Sequence, residues 1–437
     1  MPAVSTERII QPATNIQGSL RLPGDKSISH RYAMLAGLAQ GTTRVANFST
    51  GADCASSLAC VQALGAHIVR AETSLAITGV AGHFQSIAVP LDCGNSGSTM
   101  RMLSGLLAAQ AGNIPSKTFT LIGDASLSRR PMERIRKPLA AMGAHLDLTD
   151  GHAPITIHGA PLTAIDYTTP IPSAQVKTAL LFAGLEASGT TIVRESVRTR
   201  DHGELALRAF GAQVTRAKDF VSIAGGQQLH AIDATVPGDI SSAAFFLCAA
   251  ALFPGSNLLF DGLGLNPTRA TLLDVLTALG AHIGVLNLET KHGELVGTVQ
   301  VNAPPHGLTG TTISGALSAQ LIDELPVLAA IGPYTQNGIR IRDAKELRVK
   351  ESDRIALVAA NLRAMGAEVE EFDDGLDVPG GQTLHGAEID SGGDHRIAMA
   401  FSVAALRATG DTLIRDAQSA AISFPEFFDL LDRIAER

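Results

Sequence analysis

Tryptophan is absent from this chain, and Phe, Tyr and Trp together make up only 4% of its 437 residues. Without large rings, the cores must be built from Ala, Leu, Val and Ile packed around the 43 glycines. Charge is scarce as well, at 17% against a usual ~25%. The net charge of -8 argues against bulk attraction to nucleic acid or to an anionic membrane, so an anionic ligand must be caught by a local cluster. Cysteine is limited to Cys54, Cys60, Cys93 and Cys248. None forms a C-x-x-C pair and no Cys/His pattern has zinc-finger spacing; buried free thiols in a reducing compartment are expected. Long apolar runs are missing too: Ala243 to Phe253 falls short of the ~30 Å of a hydrocarbon core. Met1 to Pro12 carry no basic start followed by an apolar run, so no signal peptide is expected. The expectation is a soluble, cytoplasmic protein.

What the chain does have is repetition. A helix end, then Gly-Ala, then a strand-like run occurs at Gly65-Ala66, Gly143-Ala144, Gly211-Ala212, Gly280-Ala281 and Gly366-Ala367. Glycine suits the left-handed position that stops a helix. Upstream lie strand-like runs such as Thr43–Phe48, Thr191–Ser196, Asn257–Gly262 and Ile339–Ala344, with a last copy at Asp411–Asp416 before a Phe-rich helix from Pro425. Further upstream come helices rich in small residues, opened by Pro23-Gly24, Gly94–Gly97, Pro172-Ser173, Pro237–Asp239, Ser314-Gly315 and Gly392–Asp394. Length alone would allow about three domains. The spacing instead predicts six strand–helix–strand–helix–strand units of roughly 65 to 85 residues, with parallel strands joined by helices. Six units group most naturally as three plus three in two pseudo-threefold α/β domains, with a hinge near Val236–Asp239.

The helix starts hold the chemistry. Leu22–Arg31 (Leu-Pro-Gly-Asp-Lys-Ser-Ile-Ser-His-Arg) packs Lys26, Ser27, Ser29, His30 and Arg31 behind a Pro-Gly turn. Gly94-Asn95-Ser96-Gly97-Ser98-Thr99-Met100-Arg101 is a Gly-rich helix opening, suited to an anion or to simple capping. Ser126–Arg134 concentrates arginines around Pro131, either as a salt-bridged helix start or as a fork for carboxylate or phosphate. Ser173 and Gln175 could cap their helix or bind sugar-like hydroxyls. Arg198-Thr199-Arg200-Asp201-His202 heads another helix. Asp323-Glu324 interrupts the apolar run Leu317 to Ile331, which makes Asp323 a candidate base or half of a buried ion pair. In Arg348–Arg354, Lys350 and Arg354 are four apart and would share a helix face, with Glu351 beside them as a proton carrier. Gly392-Gly393-Asp394-His395-Arg396 opens the sixth helix.

Taken in order, Asp25–Arg31, Gly94–Gly97, Arg130-Pro131, Ser173-Ala174-Gln175, Arg348–Arg354 and Asp394–Arg396 resemble the 5-enolpyruvylshikimate-3-phosphate synthase family, and the likeness runs from Leu22 to the C-terminal helix. The resemblance implies an enolpyruvyl transferase inside-out barrel: two pseudo-threefold domains, each of three βαβαββ-type units. One domain would comprise residues 1–20 and 237–437, the other 21–236, with the site in the cleft between them. It implies two small-molecule partners, shikimate 3-phosphate and phosphoenolpyruvate, with no cofactor, no metal, no membrane or nucleic-acid partner, and a monomer. Lys26, Ser27, Arg31, Ser173, Gln175, Arg200, Asp323 and Lys350 correspond to the shikimate 3-phosphate subsite. Lys26, Gly97, Arg130, Gln175, Arg354 and Arg396 correspond to the phosphoenolpyruvate subsite. Glu351 corresponds to the acid at the methylene carbon and Asp323 to the base at the 5-hydroxyl, with Lys26 a contender for a proton. Gly97 would keep room for phosphoenolpyruvate, and glyphosate is expected to compete there.

Two departures stand out. Many members have a Lys before the Thr/Ser-Phe-Pro of the last unit, whereas this chain reads Ile422-Ser423-Phe424-Pro425. Position 200 is Arg where some have Tyr, and Ala174 replaces a second Ser, which shifts the phosphate grip toward arginine. A sister UDP-N-acetylglucosamine enolpyruvyl transferase is disfavoured by Ser128-Arg129-Arg130 where that enzyme has a catalytic Cys, and by the missing Gly-Ala-Lys-Asn start. A non-catalytic relative would show a broken charge set, and an RNA cyclase relative would need a basic surface.

Overall fold

The computed structural model describes residues 6–71, 73–111 and 117–437. The first five residues of the stretch read for a signal peptide lie outside the described residues. The chain forms two compact units. Unit I is Gly24–Val236 with Lys291–Glu294; unit II takes the chain up to Pro23, then Pro237–Thr290 and Leu295–Arg437. Each has its own apolar core.

Unit I is built on three four-stranded sheets. In the first, Asp233–Thr235 runs parallel to Thr42–Ala46, which pairs antiparallel with the hairpin Ser74–Thr78 and His67–Ala71. The sheets around Thr118–Ile122 and Thr190–Glu195 repeat this plan: one parallel neighbour, then an antiparallel hairpin. Unit II repeats it around Asn257–Gly264 and Ile339–Ile341, whereas Thr412–Arg415 keeps the parallel neighbour, Glu388–Ile389, and has a single antiparallel strand, Glu7–Ile10, in place of the hairpin. Here the N-terminal strands Glu7–Ile10 and Asn15–Arg21 complete two of the sheets. Among the described residues, no helix is long and apolar enough to cross a membrane.

The Gly-Ala turns close as predicted. All five glycines have positive φ, from 87° at Gly366 to 107° at Gly65. In each turn the alanine N–H reaches back five residues, as in Ala66 to the Val61 carbonyl at 3.1 Å and Ala281 to that of Leu276 at 2.9 Å. This is the helix-stop geometry that leaves the next residues free to start a strand.

Small residues let the central helices meet. A Cβ on Gly105 would stand 2.0 Å from the Ala179 carbonyl oxygen, so Gly97–Ala111 and Ala174–Gly184 touch backbone to backbone. The helix Ile240–Ala251 is buried on every side, as expected of a helix apolar all round.

Two local features shape the second unit's charged residues. The run from Leu317 to Ile331 is two short helices, Ala316–Gln320 and Leu325–Ile331, with Asp323-Glu324 in the break. Pro326 explains it: lacking an N–H, its ring cannot sit inside a helix, but it suits the first turn of a new one. Contrary to the expectation from their spacing, Lys350 and Arg354 do not share a helix face. Lys345–Val349 is a 3-10 turn and the α-helix begins only at Arg354, where the Asp353 side chain accepts the Ala356 N–H at 3.0 Å.

Candidate active site

In unit I, three helix starts are tied into a closed triangle. Asp25 caps the helix Lys26–Leu38 by accepting the Ile28 N–H at 2.9 Å. From its first turn His30 Nδ1 meets Ser57 Oγ at 2.8 Å, Ser57 meets Thr99 Oγ1 at 2.7 Å, and Thr99 donates to Ser96 Oγ at 2.8 Å. That chain reaches the start of Gly97–Ala111. From there Gln175 joins the third helix: its Nε2 donates to Ser98 Oγ at 2.9 Å and its Oε1 accepts from Arg101 Nη1 at 2.8 Å. Arg31 closes the triangle, donating to Thr178 Oγ1 at 2.9 Å and to the Ser27 carbonyl at 2.7 Å.

The cations sit on this frame. Lys26 Nζ lies 3.1 Å from Asp53 Oδ2. Arg130 is buried and donates to Asn95 Oδ1 at 2.7 Å. Arg31 is 3% exposed, and its hydrogen bonds go to a carbonyl and a hydroxyl, which neutralise none of its charge. Burial pushes its guanidinium down to about 10, while the Glu204 and Asp25 carboxylates pull the other way and Arg200 adds a further downward push. The half-buried Arg200 is therefore close enough for its charge to reach Arg31. The loop carrying it is anchored by Glu195, which accepts the Thr199 N–H at 3.3 Å and pairs with buried Lys177 at 2.9 Å. Ser173 is a working cap, accepting the Val176 N–H at 3.4 Å. A Cβ on Gly97 would meet Arg101 Nη1 at 3.1 Å and Arg130 Nη1 at 3.3 Å.

Unit II gathers its charges around Asp323. Four cations approach its carboxylate: Lys350 and Arg354 at 3.7 Å, Arg396 at 3.9 Å and Arg269 at 4.0 Å. Arg396 also donates to the Asp323 carbonyl at 2.8 Å. Buried Arg354 is gripped by Asp394, the cap of His395–Ala405, through bonds of 2.8 and 3.2 Å, and by Glu351 at 2.6 Å. Behind Asp323, Ser241 hydrogen-bonds Glu324 and Arg269, linking the helix Ile240–Ala251 to the break. By contrast Arg348 serves structure, bonding Asp353, Glu371 and the Phe372 and Asp373 carbonyls.

Of the residues singled out from the sequence, Lys26, Arg31, Gly97, Arg130 and Gln175 thus lie on the unit I frame, and Asp323, Lys350, Glu351, Arg354 and Arg396 gather in unit II. Several partners were not singled out. Asp53, Asn95, Arg101 and Arg269 hold the cations in place. Arg101 was legible: four residues after Gly97, it shares that helix face. Arg269 follows the turn Asn266-Pro267-Thr268, and nothing local marks it as buried. In the Ser423-Phe424-Pro425 stretch, Phe424 is 1% exposed and meets the rings of Phe246 and Phe427.

Repeat-built units with cations assembled on helix starts define an enolpyruvyl-transferase fold. The enolpyruvyl transferase NikO from Streptomyces tendae shares it, with a TM-score of 0.75 over 98% of this chain and 96% of that one at 21% identity. The family profile for EPSP synthase (3-phosphoshikimate 1-carboxyvinyltransferase) matches residues 10–431. A 3-phosphoshikimate 1-carboxyvinyltransferase from Koribacter versatilis (strain Ellin345) is 64% identical over 98% of this chain and 99% of its own. The structure of EPSP synthase from Acinetobacter baumannii superposes with a TM-score of 0.85, at 38% identity and 98% coverage of both chains. The chain belongs to the EPSP synthase family.

Proposed function

We propose that this chain transfers the carboxyvinyl group of phosphoenolpyruvate to the 5-hydroxyl of shikimate 3-phosphate and releases phosphate. The observation that carries this is the 64% identity, across 98% of the chain, to a protein named for that transfer. The two cation clusters are the chemistry it requires, since both substrates are anions and the departing group is phosphate.

In this reading Lys26, Ser27, Arg31, Ser173, Gln175, Arg200, Asp323 and Lys350 hold shikimate 3-phosphate. Lys26, Gly97, Arg130, Gln175, Arg354 and Arg396 hold phosphoenolpyruvate. Asp323 takes the 5-hydroxyl proton as that oxygen bonds to C2, and Glu351 protonates the methylene carbon. The tetrahedral intermediate then loses phosphate and a methyl proton to leave the enol ether, with Lys26 the second candidate for a proton. Glu351 is ion-paired with Arg354, and Asp323 sits among four cations. Bound anions would compete for those cations, freeing Glu351 to carry a proton and strengthening Asp323 as a base.

We further read the enzyme as a cytoplasmic monomer needing no metal or organic cofactor. Its domains would run as 1–20 with 237–437 and as 21–236, both contributing to one substrate pair. The test is phosphate release by the purified chain. It should require phosphoenolpyruvate and shikimate 3-phosphate together. Release with UDP-N-acetylglucosamine in place of shikimate 3-phosphate, or none with either acceptor, would overturn the assignment.

A further inference from the structure

The hairpin His145–Thr149 and His152–His158 lies at the edge of the second sheet of unit I. Its inward residues, Leu146, Ile155 and Ile157, are buried. Strand alternation therefore sends His145, Asp147, Thr156 and His158 to the opposite, solvent-facing side. The register sets His145 directly across from His158, and Asp147 across from Thr156. Asp147 is thus two residues along from one histidine and diagonal to the other, within reach of both.

The side chains use that proximity. His158 Nε2 lies 2.7 Å from Asp147 Oδ2 and His145 Nε2 lies 3.7 Å from Asp147 Oδ1. The two imidazole rings are 5.0 Å apart, centre to centre. One donor atom from each of the three residues falls within 4.8 Å of the others. No other part of the described site chemistry uses these groups.

We propose that His145, Asp147 and His158 form a binding site for a transition-metal dication of the Zn²⁺ type. Two imidazoles and one carboxylate suit Zn²⁺, Ni²⁺ or Cu²⁺, whereas Mg²⁺ and Ca²⁺ favour all-oxygen sets. Zinc bonds of about 2.0–2.1 Å require donors closer together than 4.8 Å. Small side-chain rotations supply the difference, and the side chains have room for them, being 70%, 61% and 37% exposed. Three protein ligands leave further positions to water. The bound ion clips the two strands together at the end farthest from their turn, so its effect is on stability and not on the transfer reaction.

The test uses the full-length chain without an affinity tag. Titration calorimetry with Zn²⁺ alone should show one site per chain and Mg²⁺ should show none. Co²⁺ should give the visible absorption of a nitrogen–oxygen site. Replacing one ligand, as His145→Ala or Asp147→Asn, should weaken Zn²⁺ binding by at least about tenfold, since disturbing even an outer partner costs that much. Zn²⁺ should also raise the melting temperature of the parent and not of the variants, because it binds only the folded hairpin. Basal carboxyvinyl transfer should be unchanged in both variants. Absence of stoichiometric Zn²⁺ binding, or binding that persists in the double variant H145A/H158A, would overturn the proposal.

Discussion

At Glu351 the proton step can be separated from binding. Glu351→Gln keeps the shape and a hydrogen bond to Arg354 but cannot donate the proton. Turnover should fall by roughly 10²–10⁴, the worth of a positioned general acid, while calorimetry shows shikimate 3-phosphate binding nearly as before. Turnover close to the parent's would remove Glu351 from the mechanism. Gly97 tests the other subsite. The two guanidiniums that a Cβ there would crowd are anchored to Gln175 and Asn95, so neither retreats without losing a hydrogen bond. Gly97→Ala should raise KM for phosphoenolpyruvate about tenfold, ~1.4 kcal/mol, with a smaller change for shikimate 3-phosphate. Steady-state kinetics with each substrate varied in turn would show it. Glyphosate inhibition should weaken in parallel, because it is expected to occupy the same space.

At the scale of the element, the helix His395–Ala405 depends on Asp394 twice over. The carboxylate accepts the Arg396 N–H at 2.9 Å and holds Arg354, which is 1% exposed. Burial resists ionisation of this carboxyl, but the Arg354 guanidinium prevails and holds it below the ordinary range. A depressed carboxyl stabilises the fold above its unfolded pKa of ~3.9, and that contribution is lost as pH falls through the folded value. Asp394→Ala should cost about 3–5 kcal/mol by stranding a buried cation. Urea unfolding at neutral pH would measure it, and Asp394→Asn, which keeps the cap, should cost less. The helix starts and Gly-Ala stops were legible because capping and left-handed turns are local and residue-specific. The break at Asp323 had its signal in Pro326, overshadowed by the apolar run on either side. The shared face assumed for Lys350 and Arg354 was wrong because Asp353, three residues later, caps the helix that the charge pattern had seemed to start earlier. What brings both cations to Asp323 is tertiary, and no window of sequence contains it.

Across the whole molecule, the hairpin formed by His282–Lys291 and Glu294–Asn302 has most of its residues in unit II, yet its tip, Lys291–Glu294, belongs to unit I. There buried Glu294 meets buried His202, Nδ1 to Oε1 at 2.7 Å. Burial alone would lower the His202 pKa, but Glu294 reverses this and leaves it raised. A raised histidine stabilises the fold below its unfolded pKa of ~6.5, and the contribution fades as pH rises through the folded value. His30 acts in the opposite sense. Burial first, then the charges of Lys26 and Arg31, push it well below its usual value, so its contribution is complete above ~6.5 and declines as pH falls below that. Glu294→Gln removes the charge that reverses the burial effect at His202. The His202 ring should then titrate below ~6.5 instead of above it, as followed by NMR of the imidazole protons. The variant should lose more stability near pH 6 than near pH 8, because only at the lower pH does the parent hold the protonated ring against Glu294. A His202 titration unmoved by the substitution would mean that a charge other than the hairpin tip sustains it.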